Sequence, residues 1–170
     1  PNHGRLSEYS PYTFKTPELG HIRGRGRTTM NWLVNTFKPF IDQNFPTIPD
    51  REHTFIAGSS MGGLMSLYAV LSYNRTFSRA AALSPSIWFA TTQLDRMLCN
   101  ASIAPDTVIY MDYGSDEMGN HEGSADALIS MATLLLKKRA NLTFRIVPGG
   151  THCEASWEQQ IPVFMDCLKL

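Results

Sequence analysis

A serine between two glycines is the first feature of the sequence that could do chemistry. The segment from Gly58 to Gly62 fits the pattern G-x-S-x-G with Ser60 at its centre, and it joins two apolar segments. A tight strand-to-helix turn would strain Ser60 and expose its hydroxyl, and side chains at both glycines would collide across that turn. Ser59 would face the strand packing. Average residue usage produces the pattern by chance in about one chain in fifteen of this length, so a plain junction of small residues is the competing interpretation.

A serine hydroxyl becomes a strong nucleophile only when a base takes its proton. His152 follows an apolar run through two glycines in the segment VPGGTHCEASW, which predicts a loop at the carboxyl end of a strand. Parallel sheets place their sites at that end. His53 precedes the strand that leads to Ser60, so it should lie at the opposite edge of the sheet. The remaining histidines fall in polar segments typical of the surface: His3, His21 and His121.

A carboxylate that orients the imidazole would complete the set. The segment VIYMDYGSDEMG offers Asp112, Asp116 and Glu117. Asp112 belongs to the strand itself, which favours a structural role, whereas Asp116 and Glu117 lie in the loop beyond it. A serine, a carboxylate and a histidine in this chain order, each after its own strand, is the arrangement of α/β-hydrolases.

The elements that would carry these residues alternate along the chain. Four short apolar runs read as strands, and apolar residues at helical spacing separate them. The strands are expected at 54–57, 80–83, 108–111 and 142–147, and the helices at 29–45, 64–71, 90–99, 128–135 and 157–168. Pro39 should kink the first helix. Residues 1–28 are polar and read as irregular, with the basic run GRGR at 24–27 interpreted as a solvated loop. The alternation predicts an α/β fold with a mostly parallel sheet and helices on both faces.

Composition sets limits on the class of function. The chain has 170 residues, a formal net charge of zero and 43% hydrophobic residues. This predicts an ordinary globular domain and disfavours nucleic acid and membranes as partners. Three cysteines without ligand-like spacing predict no metal site. A cytoplasmic location is expected, with secretion left open because the chain starts with Pro1 and carries three N-x-S/T sequons, at Asn74, Asn100 and Asn141.

Several segments together resemble the esterase branch of the α/β-hydrolases, which includes esterase D, enterochelin esterases, and feruloyl and acetyl-xylan esterases. The resemblance spans almost the whole chain, and its most specific parts surround Ser60 and His152. The segments are IAGSSMGGLMSLYAVL, FSRAAALSPSIW, VIYMDYGSDE, GGTHCEASWEQQIP, RLSEYSPY and FKPFID.

The resemblance implies a role for particular residues. By position, Ser60 is similar to the nucleophile, His152 to the base, and Glu117, three residues after Gly114, to the acid. The family accepts Asp or Glu there, so Asp116 is the alternative acid. It further implies that the N–H of Met61 forms half of an oxyanion hole, that Trp88 lies near the acyl pocket or is simply a buried aromatic residue, and that no cofactor is needed.

These implications define the expected fold and function. The family's sheet has more strands than the four placed here, so residues 1–170 are expected to form a single esterase-like domain without its N-terminal strands. The strand leading to Ser60 would then be open to a complementing N-terminal fragment or to a second copy of the chain. The expected activity is hydrolysis of a small, siderophore-linked or carbohydrate-linked ester through an acyl-enzyme. The alternatives are an acyltransferase of the same fold and an inactive hydrolase domain that acts as a binding module.

Overall fold

A computed structural model describes residues 4–17, 20–88, 91–120 and 124–169, with the side chains of residues 118–120 excepted. The expectations for His3 and His121 fall outside these ranges.

The central element of the described chain is a four-stranded parallel sheet. Its strands lie side by side in sequence order, and the helices between them provide the crossover connections that parallel strands need. They are β3 (Phe55–Ser59), β4 (Arg79–Leu83), β5 (Val108–Gly114) and β6 (Asn141–Val147). All four strands predicted from the apolar runs are confirmed, each one to three residues longer than expected.

The helices follow the predicted alternation. Longer helices cross between the sheet strands, and two short helices close the described chain. They are α1 (Arg5–Glu8), α2 (Gly26–Trp32), α3 (Lys38–Asn44), α4 (Met61–Ser72), α5 (Thr91–Asn100), α6 (Ser124–Lys137), α7 (Glu154–Glu158) and α8 (Ile161–Leu168). The expected closing helix is two helices, and Pro162 lies in the first turn of the second one, where its missing N–H costs nothing.

Side chains alternate between the two faces of the sheet. Ala80 and Ala82 of β4 pack into a core with α4, α5 and α6, while Ala81 and Leu83 pack against α8 on the other face. The small alanine side chains allow helices to approach both faces closely. The central strands β4 and β5 are therefore covered on both faces, as their continuous apolar sequences predicted.

The strand register aligns the carboxyl ends at one edge of the sheet. Ser59 pairs with Leu83, Leu83 with Asp112, and Gly114 with Val147. The segments that follow β3, β4, β5 and β6 consequently emerge side by side. Any polar side chains on those segments share one small region of the molecule.

The prediction that residues 1–28 are irregular is wrong. This segment contains α1, an antiparallel pair formed by β1 (Phe14–Thr16) and β2 (Gly20–Ile22), and the start of α2. The strands are three residues long and half-polar, so they lack the apolar run that marks the strands of the main sheet. The arginines of the GRGR segment are exposed, as expected for a solvated position.

The helix predicted at 29–45 is interrupted before Pro39. A π-helical turn spans Leu33–Phe37, and α3 restarts at Lys38 with the proline in its first turn. Because proline has no N–H, it cannot continue the i→i−4 pattern, and the chain changes its winding at this point. The apolar face is covered only at its start, since Met30 is buried whereas Phe40 and Phe45 are each 55% exposed.

Asn74, one of the three sequon residues, has a structural role. Its side-chain amide is buried and donates hydrogen bonds to Val70 O and Thr107 Oγ1, so the nitrogen that a glycan would modify is used inside the fold. Across the part of the chain that the structure describes, no helix is long and apolar enough to cross a membrane.

Candidate active site

The turn between β3 and α4 holds Ser60 in a strained conformation. Its backbone angles are φ 55° and ψ −121°, outside the region that L-residues ordinarily occupy. Its N–H donates to Leu83 O at 2.9 Å, which fastens the turn to the neighbouring strand. The strain predicted for this serine is confirmed, and such conformations concentrate at functional sites.

Steric crowding requires a glycine at only one of the two positions that flank the turn. A Cβ at Gly58 would lie 2.6 Å from the carbonyl carbon of Gly62, which is closer than unbonded atoms can approach. A Cβ at Gly62 would meet nothing within 4 Å. The expectation that both side chains would collide is therefore wrong for Gly62, because that position points away from the turn.

His152 reaches Ser60 from the loop after β6. Its Nε2 lies 2.9 Å from Ser60 Oγ. The loop is fixed by its own hydrogen bonds, from Gly150 N to Val147 O at 3.0 Å and from Thr151 N to Ser156 Oγ at 3.1 Å. The imidazole is 30% exposed, so it is held in place while one side remains accessible.

Glu117 lies behind the histidine and is completely buried, with 0% of its surface exposed. Its Oε2 pairs with His152 Nδ1, and its Oε1 accepts from Gly114 N at 2.7 Å and from Ser84 Oγ at 2.5 Å. Burial by itself would raise the pKa of Glu117, but the hydrogen bonds from His152, Ser84 and Gly114 N–H outweigh it and lower the pKa below its usual value. The carboxylate is therefore held in its charged form.

The other two carboxylates lie elsewhere. Asp116 is exposed, its Oδ1 accepts from Ser115 Oγ, and its N–H donates to Gly150 O. Asp112 is buried within β5, where its Oδ2 accepts from Tyr110 OH at 2.8 Å and its Oδ1 from Ser84 N at 3.2 Å. The structure thus brings Glu117, and neither aspartate, to the histidine.

Three side chains around this group, those of Ser84, Ser86 and Trp157, are not among the site residues predicted from the sequence. Ser86 Oγ lies 3.3 Å from Ser60 Oγ, and Ser86 N donates to Ser60 O. Trp157 Nε1 donates to Ser84 Oγ at 3.0 Å, and its ring meets the His152 ring edge-on at a centroid distance of 5.0 Å. The signal for Ser84 and Ser86 was their position just after β4, the strand next to β3, which leads to Ser60.

Met61 and Trp88 lie on segments adjacent to Ser60. Met61 is the first residue of α4, and the first N–H groups of a helix have no acceptor within it. Trp88 is half-buried two residues beyond Ser86. Near the same turn, a groove of about 350 Å³ has mostly apolar walls, formed by Ala57, Gly58, Ser59, Leu83, Glu154, Trp157, Glu158, Ile161 and Phe164. No group of three His, Cys, Asp or Glu side chains within the described ranges is arranged to hold a metal ion.

Comparison with known proteins identifies the family. Residues 1–165 match the model of the family described as "Putative esterase". The chain belongs to this esterase family. A curated relative, YbbA of Bacillus subtilis (strain 168), is 28% identical over 116 residues, which are 66% of this chain and 46% of that protein.

Solved structures of esterases share the fold. The siderophore hydrolase EstA from Aspergillus nidulans superposes with a TM-score of 0.75 at 20% identity, over 96% of this chain and 66% of that one. The enterobactin and salmochelin hydrolase IroE has a TM-score of 0.67 at 20% identity, over 98% of this chain and 63% of that one. The α/β-hydrolase fold is confirmed, and the chain spans about half to two thirds of the length of these relatives.

The two glycines of the turn provide a matched test of its geometry. We expect Gly58→Ala to destabilise the protein by about 1–3 kcal/mol, the usual cost of forcing extra atoms into a packed site. Gly62→Ala has free space in a helix and should leave stability unchanged or raise it by about 0.5–1 kcal/mol. Urea unfolding of both variants measures the difference. Equal effects of the two substitutions would contradict the assignment of the close contact to Gly58 alone.

The lowered pKa of Glu117 predicts how stability depends on pH. A carboxylate whose pKa is lower in the folded than in the unfolded chain contributes stability that is complete above the unfolded value, 4.5, and lost as pH falls through the folded value. Replacing the residue in Glu117→Gln removes this contribution. The difference in free energy of unfolding between the native chain and the variant should therefore shrink below about pH 4.5.

Denaturant titrations at pH 7 and at several values below 4.5 check this expectation. Asp112 titrates in both chains, so its own contribution largely cancels in the comparison. A difference between the two chains that stays constant over this range would show that the pKa of Glu117 is not lowered.

Proposed function

We propose that this chain carries the catalytic site of a serine carboxylesterase that works through an acyl-enzyme. The observation that supports this best is the continuous line of contacts from Glu117 through His152 to Ser60. Each of the three side chains comes from a loop after a different strand, and each contacts the next through a hydrogen-bonding atom. Family membership supplies ester hydrolysis as the reaction class.

The first step is attack by the serine. His152 Nε2 accepts the proton of Ser60 while Ser60 Oγ forms a bond to the ester carbonyl carbon, and the carbonyl electron pair moves onto its oxygen. Glu117 is held ionised, so it stabilises the imidazolium that forms and keeps Nδ1 as the protonated nitrogen in the resting state.

In this mechanism the N–H of Met61 stabilises the oxyanion. It lies at the N-terminus of α4, a helix of twelve residues whose dipole is positive at this end. Removal of one such donor in other acyl-transfer enzymes lowers kcat by about 10²- to 10³-fold, which shows the size of the effect.

Departure of the alcohol and hydrolysis of the acyl-enzyme complete the cycle. The imidazolium returns its proton to the leaving alkoxide as the carbon–oxygen bond of the ester breaks. Water then loses a proton to His152 and attacks the acyl carbon, and Ser60 leaves with that proton. The overall reaction converts an ester and water into a carboxylic acid and an alcohol, without a redox step.

For the substrate, we propose a carboxylic ester of the kind linked to a siderophore or a carbohydrate, or a small soluble ester. Two solved structures of the same fold are named as siderophore, enterobactin or salmochelin hydrolases. The mostly apolar groove beside Ser59 offers a surface for an acyl or aryl group.

Replacement of adjacent serines tests the nucleophile. In the complete protein, Ser60→Ala should lower hydrolysis of p-nitrophenyl acetate by about 10⁴-fold or more, since loss of a nucleophile removes the covalent route. Ser59→Ala is the matched control: Ser59 lies one residue away in β3 and lines the mostly apolar groove, and alanine keeps that wall small and apolar while leaving Ser60 in place. It should retain most of the activity.

A fluorophosphonate probe gives a second readout that does not depend on the chosen ester. Mass spectrometry should find the adduct on Ser60 in the native protein and in Ser59→Ala, and no adduct in Ser60→Ala. Full activity of Ser60→Ala, or labelling of another residue, would refute the proposed mechanism.

A further inference from the structure

Ser84 occupies an unusual position directly after β4. It is 2% exposed and has a positive φ of 43°, a conformation that costs a non-glycine residue energy. Its N–H lies between two acceptors of one residue, Asp112 O at 3.1 Å and Asp112 Oδ1 at 3.2 Å. The backbone of Ser84 is therefore held firmly against β5, and its hydroxyl points to a fixed place.

The direction of the hydrogen bonds through that hydroxyl is determined by its partners. The indole N–H of Trp157 can only donate, so Ser84 Oγ accepts from it. The hydroxyl has one proton, and a carboxylate can only accept, so this proton goes to Glu117 Oε1. Donation therefore runs from tryptophan to serine to glutamate, and each bond polarises the next in the same sense.

This arrangement connects two groups that contact the same imidazole. Glu117 Oε2 meets His152 Nδ1, while the Trp157 ring meets the His152 ring edge-on, at 86° between their planes. The hydroxyl of Ser84 links the indole N–H of Trp157 to Glu117 Oε1, the carboxylate oxygen that does not contact His152. His152, Glu117, Ser84 and Trp157 form a closed ring of contacts.

We propose that Ser84 is a positioning residue for the reaction: its hydroxyl fixes the plane of the Glu117 carboxylate and the place of the Trp157 ring, and through both it orients His152 toward Ser60. This inference rests on the proposed serine esterase mechanism and extends it. Gly114 N holds the same oxygen, Glu117 Oε1, and two bonds to one oxygen limit rotation of the carboxylate as a single bond does not.

Asp112 acquires a role in the same arrangement. It is a buried carboxylate that the reaction does not use, and it accepts from Tyr110 OH and from Ser84 N. Its contact with the backbone of Ser84 offsets the cost of the positive φ, so the strand end can keep the hydroxyl at the site.

A pair of buried serines at opposite ends of the same strand gives the test its control. Ser84 follows β4 and Ser78 precedes it, and each is 2% exposed. Ser78 Oγ contacts Glu52 O at the amino edge of the sheet, away from the site. We expect Ser84→Ala to lower kcat by about 10- to 100-fold with little change in KM, because small misplacements of reacting groups reach this size. Ser78→Ala should leave both constants near the native values.

Two further measurements separate positioning from a merely structural role. Loss of the Ser84 hydroxyl removes a bond that lowers the pKa of Glu117, so that pKa, followed by carboxyl ¹³C NMR, should rise in Ser84→Ala and stay unchanged in Ser78→Ala. Trp157→Phe keeps an aromatic ring against His152 but removes the N–H. It should lower kcat severalfold in the native background and have no further effect in Ser84→Ala, since coupled residues are non-additive.

The outcomes distinguish this inference from the proposed function. If the native protein neither hydrolyses esters nor reacts with fluorophosphonate, the proposed function fails and this inference fails with it. If the native protein is active and Ser84→Ala matches Ser78→Ala in kcat and in the pKa of Glu117, only the positioning role of Ser84 is refuted. Should Ser84→Ala fail to fold, Ser84→Gly removes the same hydroxyl while relieving the positive φ, and it must show the same loss of kcat.

Discussion

A fully buried charge, the carboxylate of Glu117, is the constraint on which the site depends. Moving an ionised carboxylate out of water is costly unless hydrogen bonds replace its hydration. Here the replacement comes from three donors: His152 in the loop after β6, Ser84 directly after β4, and the N–H of Gly114, the last residue of β5. The charge can be kept only if those loops occupy one arrangement, so satisfying the carboxylate also fixes the histidine. The same bonds that permit burial produce the geometry that the proposed reaction needs.

The sheet supplies that arrangement through its register. Because neighbouring parallel strands end side by side, side chains distant in sequence become neighbours in space at the carboxyl edge. A register shift of one residue in any strand would turn its side chains to the opposite face and displace the loop that follows. Alanine-rich β4 lies between the serine strand and the acid strand, and its close packing on both faces holds that register. Packing in the core therefore controls the chemistry at the edge.

The sequence predicted those parts of the fold and site that depend on local pattern. The four strands and the strained serine were found because apolar runs and glycine spacing report on a single segment. Ser60 and His152 each follow their own strand, and chain order placed the acid in the loop after β5, but the choice of Glu117 over Asp116 came from the family resemblance. The roles of Ser84 and Trp157 could not be found this way, since both depend on which strands and helices lie next to one another. β1 and β2 were missed because short, half-polar strands carry no apolar signal.

The site contains two residues with strained backbones, and each is held by hydrogen bonds to the adjacent strand. Ser60 and Ser84 follow neighbouring strands, and both have positive φ, which costs about 1–3 kcal/mol at each position. Each is held from the adjacent strand, Ser60 N by Leu83 O and Ser84 N by Asp112. A strained residue with such support cannot relax without breaking a bond to the sheet. Two serines are thus kept with their hydroxyls aimed at opposite ends of one line of contacts, Ser60 at the imidazole and Ser84 at the carboxylate behind it.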